Sequence, residues 1–556
     1  MSARGPRTGA RLLVDALAGH GVEVAFGVPG ESYLGVLDAL VDSDIRFVLC
    51  RQEGGAAMSA EAAGKLTGRP GICFVTRGPG ATNASAGVHV ASQDSTPMIL
   101  FVGQIETGFR HREAFQELDY RAVFGSIAKW VVEIDDAARV PELVARAFRV
   151  ATQGRPGPVV IALPEDMLAA EADVVDAPVF APVETHPGAA DMARLAGMLK
   201  AAERPMVLVG GSRWSQGAVD HMVRAAEAAD LPVSAVFRRQ MLFPSDHRCY
   251  AGHLGIGPNP KLLARIRSSD LVVMVGSRMS EMPSQSYELL GIPDPGLPLV
   301  HVHADAEELG RVYQPALAIH ATPAAFAPAF ADLACGLGRS WKGWTDAVVA
   351  EDRAWTDVAP GGPGAVQMGG VVTWLRERLP ADAILTNGAG NYAIWLHRFH
   401  RSRRYGTQLA PVSGSMGYGL PAAIAAKVLE PEKIVVAFAG DGCFQMTCQE
   451  LGTAVQAGLA IIVVVVDNGI YGTIRMHQEK HFPGRVSGTT LVNPDFAALA
   501  ASYGAHGETV ERTEDFAPAF ERALAAGRPA LIHVKVDPEA ITPTATLAGL
   551  RAAARG

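Results

Sequence analysis

An α/β fold of three doubly wound domains with mainly parallel sheets is the architecture this sequence predicts. Three observations carry that prediction. Runs of consecutive apolar residues alternate with helix-period patterns nearly throughout, as parallel strands covered on both faces do. Glycine often follows such a run, where a strand turns into a helix. Two stretches dense in proline and glycine, 176–191 and roughly 337–370, interrupt the rhythm and read as linkers. At roughly 150 residues per domain, 556 residues allow three or four domains. The linkers select three: a first domain over 1–175, a central domain over 190–335 and a last domain over 365–540.

The elements follow in order. The first domain holds the strand-like runs "RFVLC", "GICFVT", "PMILFVG" and "GPVVIAL". The central domain holds "PMVLVGG", "LVVMVG" and "PLVHVH". The last holds "AILTNG", "KIVVAFAG", "AIIVVVVDN" and "ALIHVKV". The closing "TLAGLRAAARG" reads as a helix or a loose tail. Apolar residues make up 49%, charged residues only 19%, and the net charge is −8, against the basic excess of a nucleic-acid binder. No apolar stretch reaches the length of a membrane span. The apolar part of "MSARGPRTGARLLVDALAGHG" is broken by Asp15 and continues as an amphipathic helix, so it is not read as a leader, and a cytoplasmic location is expected. Six dispersed cysteines without a CxxC pair read as reduced thiols.

One βαβ unit concentrates chemistry. Residues 434–439 form its first strand, Gly440-Asp441-Gly442 the turn, 443–457 the helix and 459–467 the next strand. Asp441 and Asn468, 27 positions apart, then stand at the carboxyl ends of neighbouring parallel strands. The helix points its free N–H groups at the same edge, where they attract phosphate. Mg²⁺ takes about six oxygens at about 2.1 Å, commonly from one or two carboxylates and from phosphate. Asp441, the Asn468 side chain and the main-chain carbonyl near Ile470 would supply three. Gly-Asp-Gly alone describes only a tight turn. The spacing, the strand context and the second Asn-Gly turn turn it into a reading of a diphosphate held on a divalent cation.

"GDG…DN" resembles the metal–diphosphate motif of thiamine diphosphate enzymes, usually GDG…NN. The first Asn of that pair is Asp467 here, and the second is kept as Asn468. The stretch "RQEGGAAMSAEAAGKLTGRPGICFVTRGPGATN", 51–83, is similar to the pyrimidine-binding domain of acetolactate synthase-like members. The resemblance implies that Glu53 contacts N1′ of the aminopyrimidine and promotes loss of the thiazolium C2 proton. A carboxyl group in an apolar pocket is suited to sharing that proton. Read alone, Glu53 is also a plain helix-start carboxylate. "SGSMGYGLPAAIAAK" implies a carbonyl of Gly414 accepting from the 4′-amino group and Met416 propping the bent cofactor; core packing is the plain alternative for Met416. "TNGAGNYAIW" implies diphosphate contacts from Gly388, Asn391 and Tyr392. Gly440, Gly442, Cys443 and Tyr471 flank the metal motif and complete the cofactor set. Phe115 and Gln116 match a Phe-Gln pair at the family's active-site mouth; a surface helix start is the alternative.

The resemblance further implies a homo-oligomer in which each active site is shared between subunits. It implies a small 2-oxo acid substrate, decarboxylated and then joined to a carbonyl acceptor, with the cofactor supplying the hard chemistry. A simple decarboxylase or C–C lyase is the alternative, and a non-catalytic regulatory relative a third reading. The last would be expected to lack Glu53, Asp441 or Asn468, and all three are present. A nicotinamide enzyme would show GxGxxG, and "FGVPGESYLG" does not fit it. Three departures fall on the acceptor side. Acetolactate synthases usually read PGGA where this chain has "PGES", with Glu31. They read FDDR where this chain has Met282, and tryptophan near His477. FAD stays open: "AGHLGIGPNP" loosely resembles the segment beside it in that family.

Overall fold

The computed structural model describes residues 5–555. It contains three six-stranded sheets, parallel at every pairing. The first runs in the order Arg46–Leu49, Val24–Gly27, Gly71–Val75, Met98–Gln104, Pro158–Pro164, Trp130–Glu133. The second is Tyr250–His253, Val233–Ala235, Pro205–Val209, Leu271–Val275, Leu299–His303, Leu317–His320. The third is Gln408–Leu409, Ile384–Asn387, Val435–Gly440, Ile462–Asp467, Ala530–Lys535, His506–Val510. The expected fold class is the observed one. Inner strands such as "GICFV" and "PMVLV" are buried along their whole length, because helices cover both faces. Four consecutive valines in Ile462–Asp467 suit an extended backbone, where a β-branched side chain packs well.

The chain forms two compact units. One comprises residues through Val183 together with Pro411–Pro431 and Met446–Ala460. The other comprises Glu184–Ala410, Glu432–Gln445 and the chain from Ile461 onward. Within the second unit the central and last sheets are tied by side chains: Gln240 N–H donates to Gln408 Oε1 at 2.9 Å and Gln240 Nε2 to the His397 carbonyl at 2.7 Å. Among the described residues no helix is long and apolar enough to cross a membrane.

The structure differs from expectation in two places. The helix expected over 443–457 is two pieces, Asp441–Gln445 and Glu450–Gln456, separated by turns. Thr447, between the two pieces, is held by its Oγ1, which donates to the Gly417 carbonyl at 2.7 Å. The stretch 337–370 is not all linker: Lys342–Thr356 is a helix. Trp344, Val348 and Asp352 recur every fourth residue on it, and Val348 and Asp352 are buried. The tail is helical over Leu547–Arg555, and Arg551 grips Glu479 with two bonds of 2.8 and 2.6 Å.

Candidate active site

Two clusters gather the residues singled out by sequence, one in each compact unit. The cluster in the second unit lies at the carboxyl edge of the third sheet. Strands Val435–Gly440 and Ile462–Asp467 pair in parallel with Gly440 opposite Val466, so Asp441 and Asp467 leave the sheet side by side. Gly469 N–H donates to Asp441 Oδ2 and to Asp467 Oδ1, each at 3.0 Å. Asn493 Nδ2 does the same at 2.7 Å to each. The two carboxylates thus share two donors. Burial, with the neighbouring Asp467, pushes the Asp441 carboxyl up to about 6. Asp467 goes the other way: against its burial, bonds from His533, Asn493 and Asp441 hold it down to about 2. His533 Nε2 sits 2.8 Å from Asp467 Oδ2.

Asn468 Oδ1 accepts from Ile470 N–H at 3.2 Å, an Asx turn that directs the chain over the strand end. Gly469 supports it with a φ of +67°. Asn391 Oδ1 accepts from Thr473 Oγ1 at 2.9 Å, and the Tyr392 hydroxyl lies 3.4 Å from Cys443 Sγ. The Gly388 carbonyl accepts from Asn387 Nδ2 at 2.7 Å. A Cβ on Gly442 would stand 2.5 Å from the Tyr471 ring, and one on Gly440 would stand 3.0 Å from the Tyr392 ring. Close approach excludes a side chain at Gly442 unless Tyr471 moves, and leaves a tight fit at Gly440. Oxygen donors at two adjacent strand ends beside side-chain-free backbone fit a hard divalent cation carrying a diphosphate.

The other cluster lies at the carboxyl edge of the first sheet. Glu53 opens the helix Glu53–Thr67, capped by Gln52, whose side chain accepts from Gly55 N–H at 3.1 Å. Its Oε2 accepts from Asn83 Nδ2 at 3.0 Å, and a Cβ on Gly80 would lie 3.4 Å from Oε1. Asn83 and Gly80 share the helix Pro79–Asp94. Glu450 braces the chain before Glu53: its fully buried carboxylate accepts from Gln52 N–H at 3.0 Å and Arg51 N–H at 3.2 Å. Burial raises the Glu450 carboxyl above its ordinary range, against the bonds it accepts. Gln116 has a φ of +67° and packs on Gly78, whose Cβ would meet Gln116 Cβ at 2.7 Å; Phe115 is 73% exposed.

Gly414 and Met416 belong to this unit as well, not to the one that holds Asp441. Their segment is anchored by Asp94, which accepts from Val412 and Ser413 N–H at 3.0 and 3.1 Å. Gly414 has a φ of +71° and Met416 is half-buried. Met282 sits in a turn, its carbonyl accepting from Gln285 Nε2 at 2.8 Å. Sequence reading missed Asn83, Glu450, Asn493 and His533. His533 carried a signal, a polar residue inside the apolar run "ALIHVKV". Asn493 carried none, since it reaches Asp441 from a loop 52 residues away in sequence.

Similarity to known proteins extends over nearly the whole chain. The description "Thiamine pyrophosphate enzyme, N-terminal TPP binding domain" matches residues 7–123, the central domain of the same enzymes 192–330, and their C-terminal TPP binding domain 388–534. The chain is 33% identical over 537 residues to the acetolactate synthase isozyme 2 large subunit of Escherichia coli, covering 95% of each. It is 32% identical over 557 residues to the acetolactate synthase large subunit of Corynebacterium glutamicum, covering 96% of this chain and 87% of the relative. Against the isozyme 1 large subunit of Escherichia coli identity is 29%, covering 96% and 94%.

Proposed function

This chain belongs to the thiamine pyrophosphate enzymes, among the relatives of acetolactate synthase large subunits, and on that premise we propose that it decarboxylates a 2-oxo acid and joins the remaining acyl group to a carbonyl acceptor. The observation that carries the proposal is the pairing of half-sites. Glu53 stands with an amide partner at one strand edge, and Asp441 with Asn468 at another.

Bound thiamine diphosphate supplies the electron sink for the pair left behind by departing CO₂. The chain's own residues do the rest. Asp441, Asn468 and the Ile470 main chain would hold Mg²⁺, and through it the diphosphate, with Gly388, Asn391, Tyr392, Gly440, Gly442, Cys443 and Tyr471 around it. The Gly414 carbonyl would accept from the aminopyrimidine, with Met416 beneath. Glu53 would exchange a proton with N1′, and the Asn83 bond to its Oε2 would fix the direction of that exchange. Phe115 and Gln116 would border the substrate entrance. The likeness to acetolactate synthase large subunits supports a homo-oligomer with each site shared between subunits. A cytoplasmic location belongs to the same reading. FAD is a separate question for the central domain, where Gly252, Gly255 and Gly257 all take positive φ; an absorption spectrum of the purified protein answers it.

The test is CO₂ release and product analysis with a panel of 2-oxo acids, with and without thiamine diphosphate and Mg²⁺. Cofactor-dependent CO₂ release is expected. Its absence with every 2-oxo acid would overturn the proposal. The ion pair at Glu31, described next, favours a product other than 2-acetolactate.

A further inference from the structure

Four chain segments leave the carboxyl edge of the first sheet and meet at one guanidinium. Glu31 follows the strand Val24–Gly27, Arg77 follows Gly71–Val75, Phe115 lies beyond Met98–Gln104, and Glu165 directly follows Pro158–Pro164. These four strands are consecutive neighbours in the sheet. Arg77 Nη2 donates to Glu31 Oε1 at 3.0 Å, Nη1 to Glu165, and Nε to the Phe115 carbonyl at 3.2 Å. The Arg77 side chain is only 10% exposed, while Glu31 is 68% and Glu165 37% exposed. Each nitrogen of this guanidinium therefore donates one of its N–H groups to the protein, and the group carries one negative charge in excess. On the loop before Phe115, Arg110 pairs with Glu133, while the exposed Arg112 lies outside the node.

The node sits beside the catalytic carboxylate. Arg77 immediately precedes Gly78, which packs on Gln116, and Gly80 and Asn83 in the helix that follows both reach Glu53. Across an active-site mouth, one free arginine would be the natural partner of an incoming carboxylate, because its fork pairs two oxygens at once. Here that fork is closed from inside. A second 2-oxo acid would have to displace Glu31 and then lie against an unpaired carboxylate, and like charges brought together in this way discriminate against a ligand.

We propose that the Glu31–Arg77–Glu165 node restricts the acceptor to an uncharged carbonyl compound, an aldehyde, so that the product is a neutral 2-hydroxy ketone. This rests on the decarboxylating function proposed above. The donor R–CO–COO⁻ loses CO₂. The carbon that carried it then bonds to the aldehyde carbonyl carbon of R′–CHO, and the aldehyde oxygen takes one proton, giving R–CO–CH(OH)–R′. No oxidant or reductant is needed.

The experiment uses the holoenzyme loaded with thiamine diphosphate and Mg²⁺. Pyruvate and benzoylformate serve as donors, acetaldehyde and benzaldehyde as neutral acceptors, and pyruvate or 2-oxobutanoate as charged ones. Ligated product is counted per CO₂ released. The wild type is expected to favour the aldehyde by about ten-fold or more in kcat/KM, one such factor being a modest electrostatic discrimination. Glu31→Gln and Glu31→Gly are expected to shift that ratio toward the charged acceptor by about ten-fold, mainly through its KM, as a removed repulsion should. Both changes are at an exposed side chain, and Tm verifies that the fold is retained. CO₂ release with 2-acetolactate as the main wild-type product would overturn the inference and leave the decarboxylase reading standing. An unchanged ratio in both variants would also overturn it. No CO₂ from any donor would overturn the underlying reading, and the inference with it.

Discussion

The two half-sites are built on the same scaffold, the carboxyl edge of a six-stranded parallel sheet, yet they treat charge in opposite ways. At the third sheet, Asp441 and Asp467 are pressed together and share the N–H groups of Gly469 and Asn493. At the first, among the described residues Glu53 has a single amide partner, and Glu450, behind it, is turned onto backbone N–H groups. The first arrangement would suit a cation holder, in which a bound metal would relieve the repulsion between carboxylates. The second suits a proton carrier, which has to remain free to gain and lose one. Edge geometry selects where a site forms, and the pairing of carboxylates selects what it does.

The largest effect is expected where the charge is gathered. Asp441→Ala should abolish retention of thiamine diphosphate on desalting while the far-ultraviolet circular dichroism is kept. Unchanged retention would remove the cation holder from the comparison. The next effect tests the carrier. Glu53→Gln keeps the size and the bond to Asn83 but cannot deliver a proton, so turnover should fall by about 10²–10⁴-fold. Cofactor retention should change far less, and exchange of the bound cofactor's C2 proton with D₂O should slow with turnover. Wild-type exchange in that variant would end the assignment. Mixing the two inactive chains sharpens the contrast further. If subunits exchange, one intact hybrid site should restore part of the activity.

Smaller effects fall on the supports. Glu450→Ala leaves the Arg51 and Gln52 N–H groups without their acceptor, at a cost of about 1–3 kcal/mol for such a loss. Glu450→Gln can still accept, so its Tm should lie between those of the wild type and the alanine variant. The smallest is at the tail. Arg551 and other bonds hold the Glu479 carboxyl down to about 2. A depressed carboxylate stabilises the fold above its ordinary value near 4.5, and that contribution is lost as pH falls toward 2. Arg551→Ala should flatten this part of the acid-unfolding curve. It should also speed amide hydrogen exchange in Leu547–Arg555, and an unchanged exchange rate would show that the pair does not hold the helix.

The long inner strands were plain in the sequence, while several short strands were not. "AIIVVVVDN" is buried on both faces and announces itself. Leu317–His320, at a sheet edge, buries only Leu317 and Ile319, and Gln408–Leu409 is two residues long. Neither leaves an apolar run to read. The motif residues Asp441, Asn468 and Glu53 were legible because strand ends fix their position. Asn493 and Glu450 were not, since each reaches its partner from a remote part of the chain. Glu31 was legible as a departure, but its effect depends on Arg77 and Glu165, which only the sheet order brings to it.

The first compact unit is written in three separated pieces of sequence, and that sets a schedule for its making. Helix Glu53–Thr67 is synthesised early. Its Ser59 hydroxyl, however, is destined for the Pro421 carbonyl at 3.0 Å, and Glu61 for the Tyr418 hydroxyl at 2.5 Å. Glu61 and Ser59 are both buried in the finished molecule. From Val183 to Pro411 the ribosome has 228 residues still to add (411 − 183). At about 5–20 residues per second this takes roughly 10–50 s. For that interval a helix bearing a carboxylate meant for the interior waits without its cover. A fragment ending near residue 183 would keep that face open permanently, so a chaperone or a co-expressed 411–460 segment is what such a fragment would need to stay in solution.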